Sequence, residues 1–258
     1  MDQSKLDSML VKDLAVVFSN QLGQRIGEDL SAREVPLLPS REPMVGNLCK
    51  LEAIDVGLHS SDLFDVFSLD LEGRDWTYMS HGPFSRLSDF QAWMKGYCLS
   101  KDPLFYAVVD GETGRAVGMA SYLRINPQSG SIEVGSIHFS QLMKVKPIAT
   151  EAMYLMMKRA FEAGYRRYEW KCNAFNVPSC RAAERLGFSY EGTFRNHMIV
   201  KGRNRDTAWF SILEEEWPPL RDAFETWLSP SNFSETGQQR KRLSALTKSI
   251  PVNRMGEE

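Results

Sequence analysis

Lys144 and Lys146 stand two residues apart, directly before the segment Pro147-Ile-Ala-Thr-Glu-Ala152, which has helical patterning. A helix N-terminus leaves its first N–H groups unpaired and carries partial positive charge. A pyrophosphate placed there satisfies both, and the two lysines add full charges just upstream. Pro147 suits the first helical position, where its missing N–H costs nothing, but it has no N–H to give a phosphate. Without a ligand, the same residues are two solvated lysines before a helix. Glu133 is a lone acid inside the apolar strand pattern SIEVGSIHF. It is either a surface acid pointing outward or, once buried with its pKa raised, a proton acceptor. His138 follows on the same strand and ranks below it as a base. Asn176 and Ser179 have N-cap spacing at the start of a further helical stretch. Cysteines occupy positions 49, 98, 172 and 180, and histidines 59, 81, 138 and 197. No CxxC pair or zinc-finger spacing arises, so no metal site is expected, and free thiols point to a reducing compartment.

The chain that must position these groups has 258 residues, 43% of them hydrophobic and 25% charged, which excludes wholesale disorder. Its 31 Lys+Arg and 33 Asp+Glu give a net charge of −2, so no global basic field draws nucleic acid. No apolar run approaches the ~18 residues of a membrane span. The opening MDQSKLDSML carries acids and no apolar core, so no secretory leader is expected and the cytoplasm is the expected location.

Residues 1–33 read as a peripheral helical segment, with Leu6, Met9, Leu10, Leu14 and Val17 at helical spacing. Prolines 36, 39 and 43 then impose an extended connector. A strand is expected over 44–54, a short helix over 60–70 capped by Ser60 or Ser61, and a helix over 86–99. LFYAVVD, GETGR and AVGMASYLRI read as strand, turn and strand, with SIEVGSIHF as the next strand. An amphipathic helix is predicted over 148–163, ended by Gly164, and a strand in RRYEWKC. A short helix over 177–186 ends at Gly187. Two strands follow around the turn Lys201-Gly202-Arg203-Asn204. The last ~30 residues are polar and read as a loose tail or peripheral helix. The order implies an α+β fold: one mixed, mostly antiparallel sheet with helices on both faces.

Three segments together resemble the GCN5-related N-acetyltransferase (GNAT) superfamily, in particular its RimJ/RimL-like branch of ribosomal-protein-alanine acetyltransferases. They are SIEVGSIHFS, the stretch Lys144–Ala152, and the run from Asn176 and Ser179 through Ala183-Glu-Arg-Leu-Gly-Phe188 to Glu191-Gly192. Gly202-Arg-Asn-Arg-Asp206 and Phe210-Ser-Ile-Leu213 complete the last of these. The family's phosphate loop reads Gln/Arg-x-x-Gly-x-Gly/Ala; here Pro147 replaces the central glycine.

The resemblance implies acetyl-CoA as co-substrate and an amine acceptor as partner. It implies a GNAT domain over 44–228, preceded by the extension 1–43 and followed by a tail, 229–258. Val134 and Ile137 would hold the thioester oxygen through strand N–H groups. Lys144, Lys146, Ile148, Ala149 and Thr150 would hold the phosphates. Asn176 and Ser179 would line the pantetheine channel. Glu133 is the expected base, and the Ser179 or Tyr190 hydroxyl the expected acid; Ser179 also reads as an ordinary first-turn residue and Tyr190 as a rim packing residue. Trp76, Tyr78 and Phe84 would wall an acceptor pocket or form satellite packing. A cysteine nucleophile at Cys172 or Cys180 is the minor expectation. Direct attack in a ternary complex is expected, by a monomer or homodimer, with a CoA-binding sensor lacking turnover as the alternative. No nucleic-acid or membrane partner is expected.

Overall fold

The computed structural model describes residues 18–251 and 253–255. The helical reading of Leu6 to Val17 lies outside the described residues. Residues 18–34 belong to a small unit of their own and are not helical. Phe18–Ser19 (β1) and Arg25–Ile26 (β2) pair antiparallel. The Asn20 side-chain oxygen accepts from the N–H groups of Leu22 and Gln24, which favours a turn over a continuing helix.

Alternation along the central strands of the second unit, residues 35–258, sets its layers. In Leu104–Asp110 (β5), Leu104, Tyr106 and Val108 enter one core, while Phe105 and Ala107 enter another. A strand buried on both faces needs helices on both. Val56–Phe67 (α1) and Leu87–Tyr97 (α2) cover one face. Pro147–Glu162 (α3), Val177–Arg185 (α4) and Trp217–Leu228 (α5) pack on the other. The remaining strands are Met44–Val45 (β3), Cys49–Ala53 (β4), Ala116–Asn126 (β6), Ser131–Phe139 (β7), Arg167–Asn173 (β8), Ser189–Val200 (β9) and Arg203–Leu213 (β10). The sheet order is β3-β4-β5-β6-β7-β8-β10-β9. Among the described strands, only β7 and β8 run parallel. The α+β fold expected from sequence is present. Among the described residues, no helix is long and apolar enough to cross a membrane.

Three expectations need correction. The strand over 44–54 is a hairpin, because the buried Glu151 carboxylate accepts from the N–H groups of Asn47, Leu48 and Cys49 and holds a turn there. The first helix starts earlier than 60, capped by the Asp55 carboxylate, which accepts from Leu58 N–H. The loose-tail reading does not hold for the described residues after Leu228, where a 3-10 turn, Pro230–Asn232, leads to a short helix, Leu243–Leu246 (α6), as the peripheral-helix reading had it.

Candidate functional site

The pairing of β7 with β8 runs from Ser131↔Arg167 to Val134↔Trp170 and stops. Beyond it, β7 pairs only with β6, and β8 continues with β10 as far as Asn173. The two parallel strands therefore diverge. At the same level, Ser121 faces Gly135 while Met119 faces His138, so β7 holds one extra residue. Ser136 takes it up in the left-handed region, at φ 49. Such a bulge frees backbone groups and re-aims side chains. By their cross-strand partners Leu123, Ser121 and Met119, Glu133, Gly135 and His138 all share the face of α1 and α2. Val134 and Ile137 belong to the α3 side.

Downstream, Lys146 is the N-cap of α3 in extended conformation and Pro147 its first helical residue. Val145 sits at φ 61 with its side chain fully in solvent, a costly geometry for a β-branched residue. Among the described residues, the N–H groups of Val145 and Ile148 donate to no acceptor. Lys144 does not stand free: its ammonium is ion-paired with Asp75. Lys146 carries no carboxylate partner among the described residues.

These features open onto a cleft of about 1120 Å³ between the loop before α3, α4 and the chain after α5. Of the residues singled out from sequence, Ile137, His138, Lys144, Lys146, Ala149 and Thr150 line it, as do Asn176, Ser179 and Tyr78. The Asn176 side chain accepts from Ser179 N–H at 3.3 Å, the expected cap. Ser179 Oγ accepts from Trp170 Nε1 at 3.1 Å. Tyr78 donates its hydroxyl to the Phe175 carbonyl at 3.1 Å.

Other expected site residues lie elsewhere. The side chains of Val134 and Ile148 are buried in the main core, which leaves only the Ile148 backbone N–H at the start of α3. The Tyr190 ring packs on Phe210 and its hydroxyl bonds Thr193 Oγ1 at 2.8 Å, away from the cleft. Trp76, 4% exposed, packs edge-on against Phe67 and Phe84 and tilted against His138 and, with Phe84, borders a second cavity of about 510 Å³. Cys172 and Cys180 face each other in the core at 3.5 Å and do not border the cleft.

Glu133 lies in an ion-pair network, itself buried while its Arg124 partner is half exposed. Arg124 Nη1 is 2.7 Å from one of its oxygens and Lys171 Nζ 3.0 Å from the other. Lys171 also holds Glu169 at 2.7 Å and lies 3.7 Å over the Trp209 ring. Arg167 ties Glu169 to Glu191. Burial pushes the Glu133 carboxyl above its ordinary pKa, against the pull of Lys171 and Arg124. His138 lies on the same face, its Nε2 buried without a partner among the described residues. Burial, helped by the charge of Lys144, holds its pKa down to about 3.

Sequence reasoning missed most of the cleft's charge. Besides Lys144 and Lys146, it is bordered by Arg74, by Arg181 and Arg185 of α4, and by Arg240 and Arg242. Asp75 is the one acid on its border among the described residues. A chain of net charge −2 thus concentrates seven cations at one cavity. The i, i+4 spacing of Arg181 and Arg185 and the run Arg240-Lys-Arg242 were the available signals. Such a cavity fits a polyanion carrying phosphates.

The sequence model of the Acetyltransferase (GNAT) domain matches residues 57–189. The crystal structure of a GCN5-related N-acetyltransferase from Brucella melitensis is 43% identical, with a TM-score of 0.82, covering 84% of this chain and 99% of that one. A structure from Chromobacterium violaceum ATCC 12472, described as a probable acetyltransferase of the GNAT family, is 35% identical with a TM-score of 0.70, covering 74% and 96%. The uncharacterized N-acetyltransferase p20 of Bacillus licheniformis is 26% identical over 144 residues, 54% of this chain and 80% of that protein.

Proposed function

The chain belongs to the GNAT acetyltransferase family, and from that premise we propose that this acetyl-CoA-dependent enzyme acetylates a primary amine, by direct attack in a ternary complex. The observation that carries the reading is the cationic cleft at the N-terminus of α3, beside the place where β7 and β8 separate. Acetyl-CoA, when bound, supplies a thioester carbonyl open to an amine.

The chain's own groups have separable tasks. Lys146 and the Ile148 N–H bind phosphate at the start of α3, while the Asp75 carboxylate aligns Lys144. The β7 N–H groups past Val134 have lost their β8 partner and can receive a developing oxyanion. Ser179 Oγ already accepts from Trp170, so its own O–H is the proton it has left to give a departing thiolate. Glu133 is the proton acceptor for the amine. It stands one residue before the separation, on the face away from the phosphate loop, and its raised pKa suits a base. Cofactor and acceptor then approach from opposite faces of the sheet.

The C-terminal motif, from Asn176 and Ser179 through Arg185-Leu-Gly-Phe188 to Phe210-Ser-Ile-Leu213, supports placement in the RimJ/RimL-like branch, with a protein N-terminus or a small amine as acceptor. Incubation with acetyl-CoA and a panel of N-terminal peptides and small amines, read by thiol release and by mass, tests this. Release of CoA matched by acetylated amine is expected. Tight CoA binding without release from any amine would favour the sensor reading.

A further inference from the structure

Apart from Arg74, which is ion-paired with Glu72, two groups of cations border the cleft. Lys144 and Lys146 precede α3; Arg181 and Arg185 of α4 stand with Arg240 and Arg242, which follow α5. The second group has no carboxylate partner among the described residues. Arg185 donates Nη2–H to Thr150 Oγ1 at 3.0 Å and lies over the Trp227 ring, 5.3 Å from its centroid. Burial lowers its pKa, the mark of a guanidinium that has given up water without gaining an anion.

Arg240 and Arg242 are held there by a folded strap outside the span matched by the family model. Asn232, 6% exposed, organises it. Its Nδ2 donates to the carbonyls of Trp227 and Lys241, and its Oδ1 accepts from Lys241 N–H at 2.8 Å. Its own carbonyl accepts from Arg240 N–H. Trp227 Nε1 donates to Gln239 Oε1 at 2.9 Å, and the Phe233 ring packs edge-on against Trp227. Beyond the arginines, Leu243 is buried and Thr247 Oγ1 donates to the Arg185 carbonyl at 3.3 Å, closing the strap back onto α4. A polar sequence folded this firmly around two cations that face a cavity needs a reason beyond packing.

We propose that the strap Asn232–Thr247 completes the cofactor site, and that Arg240 and Arg242, beside Arg185, bind the terminal phosphomonoester on the cofactor's ribose. The proposal rests on the cleft being the acetyl-CoA site. The α3 N-terminus and Lys146 serve the pyrophosphate; the strap serves a second, separate dianion, which is the charge distribution of CoA. The chain therefore discriminates CoA from its 3′-dephospho form by means of residues outside the family domain.

The test is calorimetric titration of the full chain and of Arg240→Ala/Arg242→Ala with acetyl-CoA and with acetyl-3′-dephospho-CoA, with thermal melts as the folding control. Both arginines are exposed, so the variant should fold. The wild type should prefer acetyl-CoA at least about tenfold, the scale of charge-assisted contacts. The variant should lose that preference through weaker acetyl-CoA binding alone. Arg240→Lys/Arg242→Lys should restore part of it. Equal weakening of both ligands, or no weakening, overturns the proposal and leaves the acetyltransferase reading standing. A wild type that binds both ligands equally does the same. A wild type that binds neither overturns the cleft's assignment as well.

Discussion

The two faces of the sheet near the β7–β8 separation carry charge in opposite ways. On the α3 and α4 side, cations border an open cleft with Asp75 as the acid among them. On the α1 and α2 side, Glu133, Lys171, Glu169, Arg167 and Glu191 satisfy one another, Lys171 at 6% side-chain exposure. A charge that faces a cavity without a partner is waiting for a ligand. A buried charge paired on several sides holds a position, and removing one member strands the others. The first kind should govern affinity, the second stability and orientation.

The sharpest way to break the comparison is Glu133→Gln, since Glu133 belongs to the paired region and is also assigned a chemical role. Its kcat/KM should fall by ~10²–10⁴, with acetyl-CoA affinity unchanged and the defect shrinking at high pH as free amine accumulates. Wild-type rates across the pH range would leave Glu133 a structural strand acid only. Lys171→Met probes pairing itself. It leaves two buried carboxylates without their shared cation and should cost ~3–5 kcal/mol in urea unfolding. A loss below about 1 kcal/mol would mean that the network is dispensable. Glu133→Gln should cost less than Lys171→Met, because the lysine keeps Glu169.

A third test uses pH. Burial holds the His138 pKa down to about 3 in the folded chain, against the ordinary 6.5 when unfolded. Between these values the unfolded state binds the extra proton, so stability is fully present above pH 6.5 and falls as pH drops toward 3. At pH 5 the loss from His138 is about 2 kcal/mol, and His138→Phe should flatten the stability profile by that amount. An unchanged profile would show that the imidazole is hydrated.

The sequence was legible where local chemistry decides. Pro147 marks the start of α3, Asn176 caps α4, and Gly164 and Gly187 end their helices at φ 92 and 93. The strands between 104 and 139 alternate as a sheet with two cores requires. It was opaque where distant partners decide. Ser60 and Ser61 offered a cap, but Asp55 supplied it. The 46–48 turn depends on Glu151, about a hundred residues away. The bulge at Ser136 leaves no mark in composition. The strap has no apolar periodicity, because Asn232 and Trp227 fold it through hydrogen bonds. The cleft's arginines came from three elements that no motif joins.

The central claim is that the unpartnered cations of the cleft hold acetyl-CoA. Calorimetric titration with acetyl-CoA at low and at high salt, for the wild type and for Lys146→Glu, tests it most directly. The account predicts one site per chain whose affinity falls with salt. It predicts a variant weakened roughly 5- to 30-fold, with an unchanged melting temperature. No binding by the wild type, or equal affinity in the variant, would contradict it.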